Sequence, residues 1–326
     1  MSLGVEDRLW EITWKGQLAA LLDIVTPKPG NVHRYRDHPD TRLVHFAASI
    51  ARLGQPLYQA AYRGAASSKS TEAPHVALGE LMENAVRACM APHGKNTLLG
   101  TILLLCPLAA AAGYIASRPS VSAKMLREAL SRILHATTVE DAIALVDALQ
   151  VAKPGGSTPR TPAWTERQQA FDFQSPRVIE AIQRNKYTLL DYLALAASYD
   201  AVAEEYATDF DYIFDGLYPQ LIRFLDRCAT IECAVLATYI WALSERPDTF
   251  IQRKVGVEAA GEVTTRARVL YAKMLHTPET QWLEVSKPFD EYLHSQGSAL
   301  NPGTTADLLS AAIYVALLVG DITRIL

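Results

Sequence analysis

The chain has 326 residues, of which 49% are hydrophobic and 20% charged, with a formal net charge of -4. This hydrophobic fraction can build a substantial core in one large domain or two small ones. The slightly acidic balance, with a pI near 6.1, argues against a nucleic-acid-binding surface, which usually needs a basic patch. A small anionic substrate remains compatible with it, because a local cluster of cations does not need a basic chain.

Apolar residues recur at helical spacing along most of the chain and predict an all-α fold, a single-domain multi-helix bundle over residues 1-326. In the N-terminal half the predicted helices cover residues 9–25, 41–62, 76–90, 97–117 and, from a capping box at Thr137 to Glu140, about 138–151. Residues 98–117 carry no charge and are about as long as a membrane span. Pro107 and the small residues that follow it favour a buried apolar central helix instead.

A stretch rich in Pro, Gly, Ser and Thr predicts a long surface loop or lid at about residues 153–176. Helical patterns then resume at residues 189–206, 212–227, 231–244, 256–275, 280–294 and 304–320. No run alternates strictly between apolar and polar residues, so no strand is predicted.

The compartment we expect is the cytoplasm. Charged residues such as Glu6 interrupt the N-terminal hydrophobic character, so no secretory signal is predicted. The four cysteines contain no CxxC pair, and we expect reduced core thiols at all of them; they are Cys89, Cys106, Cys228 and Cys233.

Polar residues are concentrated in residues 26–40, where prolines prevent a regular helix. Pro27 and Pro29 fix φ on both sides of Lys28 and push the preceding residues toward extended geometry. Gly30 lets the backbone turn or approach a ligand closely. The segment is therefore either a ligand-binding loop or an ordinary solvated connection between helices.

Three further polar clusters precede predicted helices, at residues 94–97, 247–249 and 301–307. A helix N-terminus favours anions, although plain capping explains any single cluster. Thr304 and Asp307 have the spacing of a capping box. Asp307 would repel a phosphate unless a cation bridges them, and Mg²⁺ commonly joins one or two carboxylates to substrate phosphates.

These patterns give two sets of candidates and one weaker alternative. The metal-ligand candidates are Asp40, Asp248 and Asp307. A zinc site from His33 and His38 with a nearby aspartate matches no standard ligand spacing. The binding candidates are Lys28, Pro29, Gly30, Asn31, Lys95, Asn96, Thr97, Gly303, Thr304 and Thr305.

Together these segments resemble the triphosphoribosyl-dephospho-CoA synthase family. Its motifs PKPG, HxD, GxNTxxG, DT and PGxxADL occur here in the same order, at residues 27–30, 38–40, 94–100, 248–249 and 302–308. The resemblance covers about residues 20–320, matches residues 118–186 poorly, and implies an all-α fold.

The chain departs from the family pattern at two places. Leu98 and Leu99 replace a His-Lys pair of the GxNTxxG motif, and Asn31 and His33 replace residues of a PKPGLVD form. The forms NPGTTAD and DTxIxRK resemble the archaeal-type branch, whose members can accompany tetrahydromethanopterin-pathway genes.

The resemblance implies transfer of the 5-triphosphoribosyl group of ATP to a hydroxyl acceptor such as 3'-dephospho-CoA, with release of adenine. It implies Asp40 as general base beside His38, and Mg²⁺ on the triphosphate. The alternatives are an ATP-dependent enzyme with another acceptor, as in pterin-linked one-carbon cofactor synthesis, or a non-catalytic nucleotide-binding protein. Expected partners are small nucleotides, with no nucleic acid and no membrane, and a homodimer is left open.

Overall fold

The computed structural model describes residues 4–155 and 169–322 of the chain, and these residues contain α-helices and no strand. The helices of the N-terminal half are α1 (Val5–Val25), α2 (Leu43–Ser67), α3 (Leu78–Met90), α4 (Leu99–Tyr114), α5 (Ala123–His135) and α6 (Val139–Ala152). The predicted all-α fold is therefore confirmed. Within the described ranges no helix is both long and apolar enough to cross a membrane.

In the described residues the C-terminal half contains several short helices and four helices of 13 to 19 residues. They are α7 (Val178–Asn185), α8 (Leu189–Ala194), α9 (Ala201–Ala207), a π-helix (Tyr212–Leu217), α10 (Tyr218–Leu225), α11 (Ile231–Glu245), α12 (Thr249–Lys254), α13 (Val257–Leu275), a 3₁₀ turn (Glu279–Gln281), α14 (Trp282–His294) and α15 (Gly303–Val319). The predicted lid at 153–176 falls largely on residues 156–168, which lie outside the described residues.

The centre of the fold is α4, which packs against α2, α5, α15, α1 and α3. Every residue of α4 from Thr101 to Gly113 is buried, as its uniformly apolar sequence predicts. The backbones of α2 and α4 touch directly, because a β-carbon at Gly64 would overlap the Ala110 carbonyl and one at Gly113 would overlap that of Ala61. Two glycines in register thus let the central helix lie deep in the bundle.

Several helix boundaries differ from the predictions. Helices α5 and α7 were not predicted, and the predicted helix 189–206 divides into α8 and α9. Asp200 caps the start of α9, after the break that separates it from α8, because its carboxylate accepts from the Val202 and Ala203 amides. The capping box of α6 joins Thr138 to Asp141, one residue later than predicted.

Two local predictions were wrong. Helix α15 begins at Gly303, and Asp307 accepts from Thr101 on α4, so Thr304 and Asp307 form no capping box. Cys228 and Cys233 form a disulfide across the turn between α10 and α11, with Cα atoms 5.7 Å apart. The prediction of reduced thiols therefore holds for the buried Cys89 and Cys106 alone.

Candidate active site

A cavity of about 460 Å³ opens where five separated segments meet. They are the α1–α2 connection, the start of α4, the residues flanking 156–168, the α8–α9 junction, and α12 with the start of α15. The structure brings nine of the residues predicted for the site into its wall: Lys28, Asn31, His38, Asp40, Asn96, Thr97, Gly303, Thr304 and Asp307. Their proximity depends entirely on the tertiary fold.

The α1–α2 connection supplies a buried ion pair to this wall. Lys28 is only 1% exposed, and its ammonium group contacts the carboxylate of Asp23 in the last turn of α1. Burial raises the pKa of Asp23 and lowers the pKa of Lys28, and the opposite charge of each partner counteracts the shift of the other. Lys28 therefore supports Asp23 rather than presenting a free cation to the cavity.

Asp307 lies beside this ion pair, at the start of α15. The Thr101 hydroxyl donates to its Oδ1 at 2.7 Å. A β-carbon at Gly100 would overlap the same carboxylate, so the glycine of the GxNTxxG segment makes room for Asp307. Burial raises the pKa of Asp307 to about 7, and the negative charge of Asp23 adds to the shift. The carboxyl group is thus poised to bind a cation or a proton.

His38 and Asp40 occupy the far end of the α1–α2 connection. His38 is buried, and neither ring nitrogen has a hydrogen-bond partner of ordinary geometry, although the backbone of Gly30 lies close enough to favour the protonated ring. Burial and the neighbouring His294 lower the pKa of His38 to about 4. Asp40 is exposed on the wall, and its charge interacts with His38 and with Lys254.

The start of α4 forms another part of the wall. The side-chain Oδ1 of Asn96 accepts from the Leu99 amide at 3.2 Å, and the Thr97 hydroxyl lies 2.7 Å from the Ser49 hydroxyl. Both side chains therefore have local structural contacts. Leu98 and Leu99 also line the cavity, and they make this part of the wall less polar than a His-Lys pair would.

Five residues predicted for the site lie outside the cavity wall: Pro29, Gly30, Lys95, Asp248 and Thr305. The Pro29 carbonyl accepts from the Tyr239 hydroxyl at 2.9 Å, and Lys95 donates to the Asp40 carbonyl. These contacts hold the connection in place. The Gly30 amide is bonded to Asp290 at 2.9 Å.

Asp248 illustrates why a local motif is ambiguous. Its Oδ1 caps α12 by accepting from the Phe250 and Ile251 amides, and its Oδ2 accepts from the Thr305 amide and hydroxyl at 2.7 and 2.8 Å. Four protein donors saturate the carboxylate, and Asp248 is 2% exposed. It joins α12 to α15, and we do not retain it as a metal ligand.

Other residues of the wall were not predicted for the site. Asp23 is the one charged residue in the apolar run 18–25, and this placement of a carboxylate among apolar residues could have identified it from the sequence. Arg253 pairs with Asp200 at 2.8 Å, and Lys254 donates to the Ser298 carbonyl at 2.7 Å. The apolar part of the wall includes Phe46, Phe171, Phe173, Tyr192, Leu193 and Phe250.

A resident metal centre held by protein alone is not supported in the part of the chain that the structure describes. No group of three or more His, Cys, Asp or Glu side chains there has metal-binding geometry, which removes the zinc alternative. Asp23 and Asp307 provide two oxygen-donor side chains close enough to affect each other's charge. Asp23 is already paired with Lys28, so Asp307 is the carboxylate that would join a Mg²⁺ ion whose remaining ligands are water and substrate phosphates.

Comparisons with known proteins show the family and the fold of the chain. The family model CitG, ATP:dephospho-CoA triphosphoribosyl transferase, matches residues 10–324, and no curated protein sequence matches the chain. A crystal structure of a protein from Archaeoglobus fulgidus, named as a triphosphoribosyl-dephospho-CoA synthase, has the same fold. The two chains are 23% identical and superpose with a TM-score of 0.62, over 84% of this chain and 99% of that one. Because the family match spans nearly all of the chain, the protein belongs to the CitG family of ATP:dephospho-CoA triphosphoribosyl transferases.

Proposed function

We propose that the protein transfers the 5-triphosphoribosyl group of ATP to a hydroxyl of an acceptor such as 3'-dephospho-CoA and releases adenine. Membership of the family makes it a transferase of this type. The observation that carries the proposal is the meeting of Lys28, Asn96 and Asp307 in the wall of one cavity, although they are far apart in the sequence.

The reaction breaks the bond between C1' of the ribose and N9 of adenine and forms a bond between C1' and the acceptor oxygen. The transition state resembles an oxocarbenium ion, as in glycoside chemistry. The acceptor hydroxyl loses a proton and the departing adenine gains one. We assign Asp40 as the base, because it is an exposed carboxylate on the wall. His38 beside it is uncharged at neutral pH, given its pKa of about 4, and adds no competing cation.

The charges of the wall support the presence of a metal ion beside a bound triphosphate. The lining cations are Lys28, Lys153, Arg253 and Lys254, and two of them are already in ion pairs with Asp23 and Asp200. Asp307 would repel phosphate oxygens directly. We propose that Asp307 holds Mg²⁺, which would supply positive charge to the triphosphate.

The test is to incubate the protein with Mg-ATP, with and without 3'-dephospho-CoA, and to measure free adenine and the mass of the product. We expect stoichiometric adenine and triphosphoribosyl-dephospho-CoA only when both substrates are present. Asp40→Asn is the matched variant, since it keeps the side-chain shape and removes the base. Equal adenine release by the variant would remove Asp40 from the mechanism.

A different acceptor is the second candidate, favoured by the apolar Leu98 and Leu99 in the wall. Transfer to another hydroxyl compound, such as a pterin-linked one, would leave ATP use intact and make dephospho-CoA dispensable. The double variant L98H/L99K restores the family's pair and should then increase transfer to dephospho-CoA. Tight Mg-ATP binding with no turnover on any acceptor would instead support a non-catalytic nucleotide-binding protein.

A further inference from the structure

Asp290, on α14, lies outside the cavity wall and yet contacts the segment that carries much of the site. Its Oδ1 accepts from the Gly30 amide at 2.9 Å, and its Oδ2 accepts from Arg36 Nη1 at 3.2 Å. His33 Nε2 lies 3.6 Å from the same carboxylate. Three donors from the α1–α2 connection thus converge on one side chain from a helix about 260 positions later.

The same carboxylate is also fixed to its own helix. His294 Nδ1, one turn further along α14, lies 3.0 Å from Asp290 Oδ1. Burial alone would raise the pKa of Asp290, but the neighbouring His294 and His33 side chains and the hydrogen bond from the Gly30 amide hold it well below its ordinary value. Asp290 is therefore an ionised and oriented anchor.

The backbone at Gly30 packs closely against α14, the helix that carries Asp290. Gly30 has φ of +81°, and a β-carbon there would lie 2.8 Å from Leu293 Cβ and 2.9 Å from Pro302 Cδ. The missing side chain lets the connection lie against α14 with its amide on Asp290. On either side of this contact the connection sends Lys28, Asn31, His38 and Asp40 into the cavity wall.

We propose that Asp290 is a positioning residue. From outside the cavity wall it fixes the α1–α2 connection so that His38 and Asp40 face the reacting groups. The ring centroids of His294 and His38 lie 4.8 Å apart, so His294, which contacts Asp290, also packs against a residue of the cavity wall. This inference rests on the proposed function, because its kinetic consequence is a loss of transfer. The anchoring itself is a physical property that can be measured without turnover.

The experiment compares Asp290→Asn with the control Glu291→Gln, an acid-to-amide change at the next, exposed position of α14. Amide hydrogen exchange and adenine release are measured on the full chain. We expect D290N to speed exchange in residues 30–38 at least tenfold while other segments keep wild-type protection. We also expect kcat to fall roughly 10- to 100-fold, the size of effect that a misplacement of about 1 Å can cause. E291Q should match wild type in both measurements.

Each result is decisive. Unchanged exchange in residues 30–38, or a wild-type kcat despite faster exchange, would overturn the proposal. Faster exchange throughout the chain would also overturn it, since Asp290 would then support general stability. If D290N does not fold, R36Q removes a single half-buried donor from the carboxylate and should give a smaller change of the same kind. Wild-type protein that releases no adenine would refute the proposed function, while the exchange comparison would still decide the anchoring.

Discussion

Replacing Asp307 with Asn should stabilise the protein in the absence of nucleotide while weakening its binding of Mg-ATP. The physical reason is that burial raises the pKa of Asp307 from 3.8 to about 7. A carboxyl group whose pKa is raised by folding destabilises the folded state when it is ionised. The penalty is absent below the ordinary pKa, grows as the pH rises, and is complete above about 7.

The size of the effect follows from the shift. The full change in pKa corresponds to about 4 kcal/mol, and the part that develops between pH 5 and pH 8 to about 2–3 kcal/mol. The Asn amide oxygen can still accept from the Thr101 hydroxyl, so little of this gain is lost. At pH 8 the variant should therefore need more urea to unfold than the wild type, and the difference should shrink at pH 5.

The assay is urea unfolding with EDTA at both pH values, together with calorimetry of Mg-ATP binding. Asp226→Asn is the matched control, because Asp226 is exposed at the end of α10 and its replacement should change stability little at either pH. A D307N protein that is less stable than wild type at pH 8, or a difference that does not change with pH, would refute the reasoning. Unchanged Mg-ATP affinity would remove Asp307 from the proposed metal site.

The remaining predictions concern the same cavity. Lys28→Met leaves Asp23 unpaired, and should lower the free energy of unfolding at neutral pH by about 3–5 kcal/mol, measured by urea unfolding; a loss below about 1 kcal/mol would contradict a buried ion pair. Gly100→Ala forces the Asp307 carboxylate aside and should lower adenine release by about 100-fold. Gly261→Ala, where a β-carbon meets no neighbour within 4 Å, should leave activity unchanged. Asp40→Asn should abolish turnover and keep Mg-ATP affinity within about threefold, a loss of less than about 1 kcal/mol; a larger loss measured by calorimetry would make Asp40 a binding residue.

The separate roles of Asp248 and Asp307 show where local sequence patterns stop being informative. Both are aspartates near a helix start, and both were predicted as metal ligands with Asp40. In the fold, four protein donors surround the Asp248 carboxylate, whereas Asp307 faces the cavity with Thr101 as its hydrogen-bond donor. In the sequence each is an aspartate near a predicted helix start, and the contacts from other helices are what distinguish them.

The sequence by itself determined the helical class and the burial of α4, and it singled out several of the segments that line the cavity. These follow from short-range physics: apolar residues at helical spacing must bury a face, a helix apolar all round must be central, and prolines on both sides of Lys28 exclude a helix there. The break between α8 and α9 escaped this reasoning, because the apolar pattern continues across it while Asp200 starts a new helix.

Only the tertiary structure decided that Lys28 is paired with Asp23, that Gly100 makes room for Asp307, and that Asp290 holds the Gly30 amide. The last two contacts join residues about 200 and 260 positions apart, while the first depends on how deeply the end of α1 is buried. Burial and long-range contact are properties of the packed chain, and they set which carboxylates are saturated, which are ionised and which face the cavity.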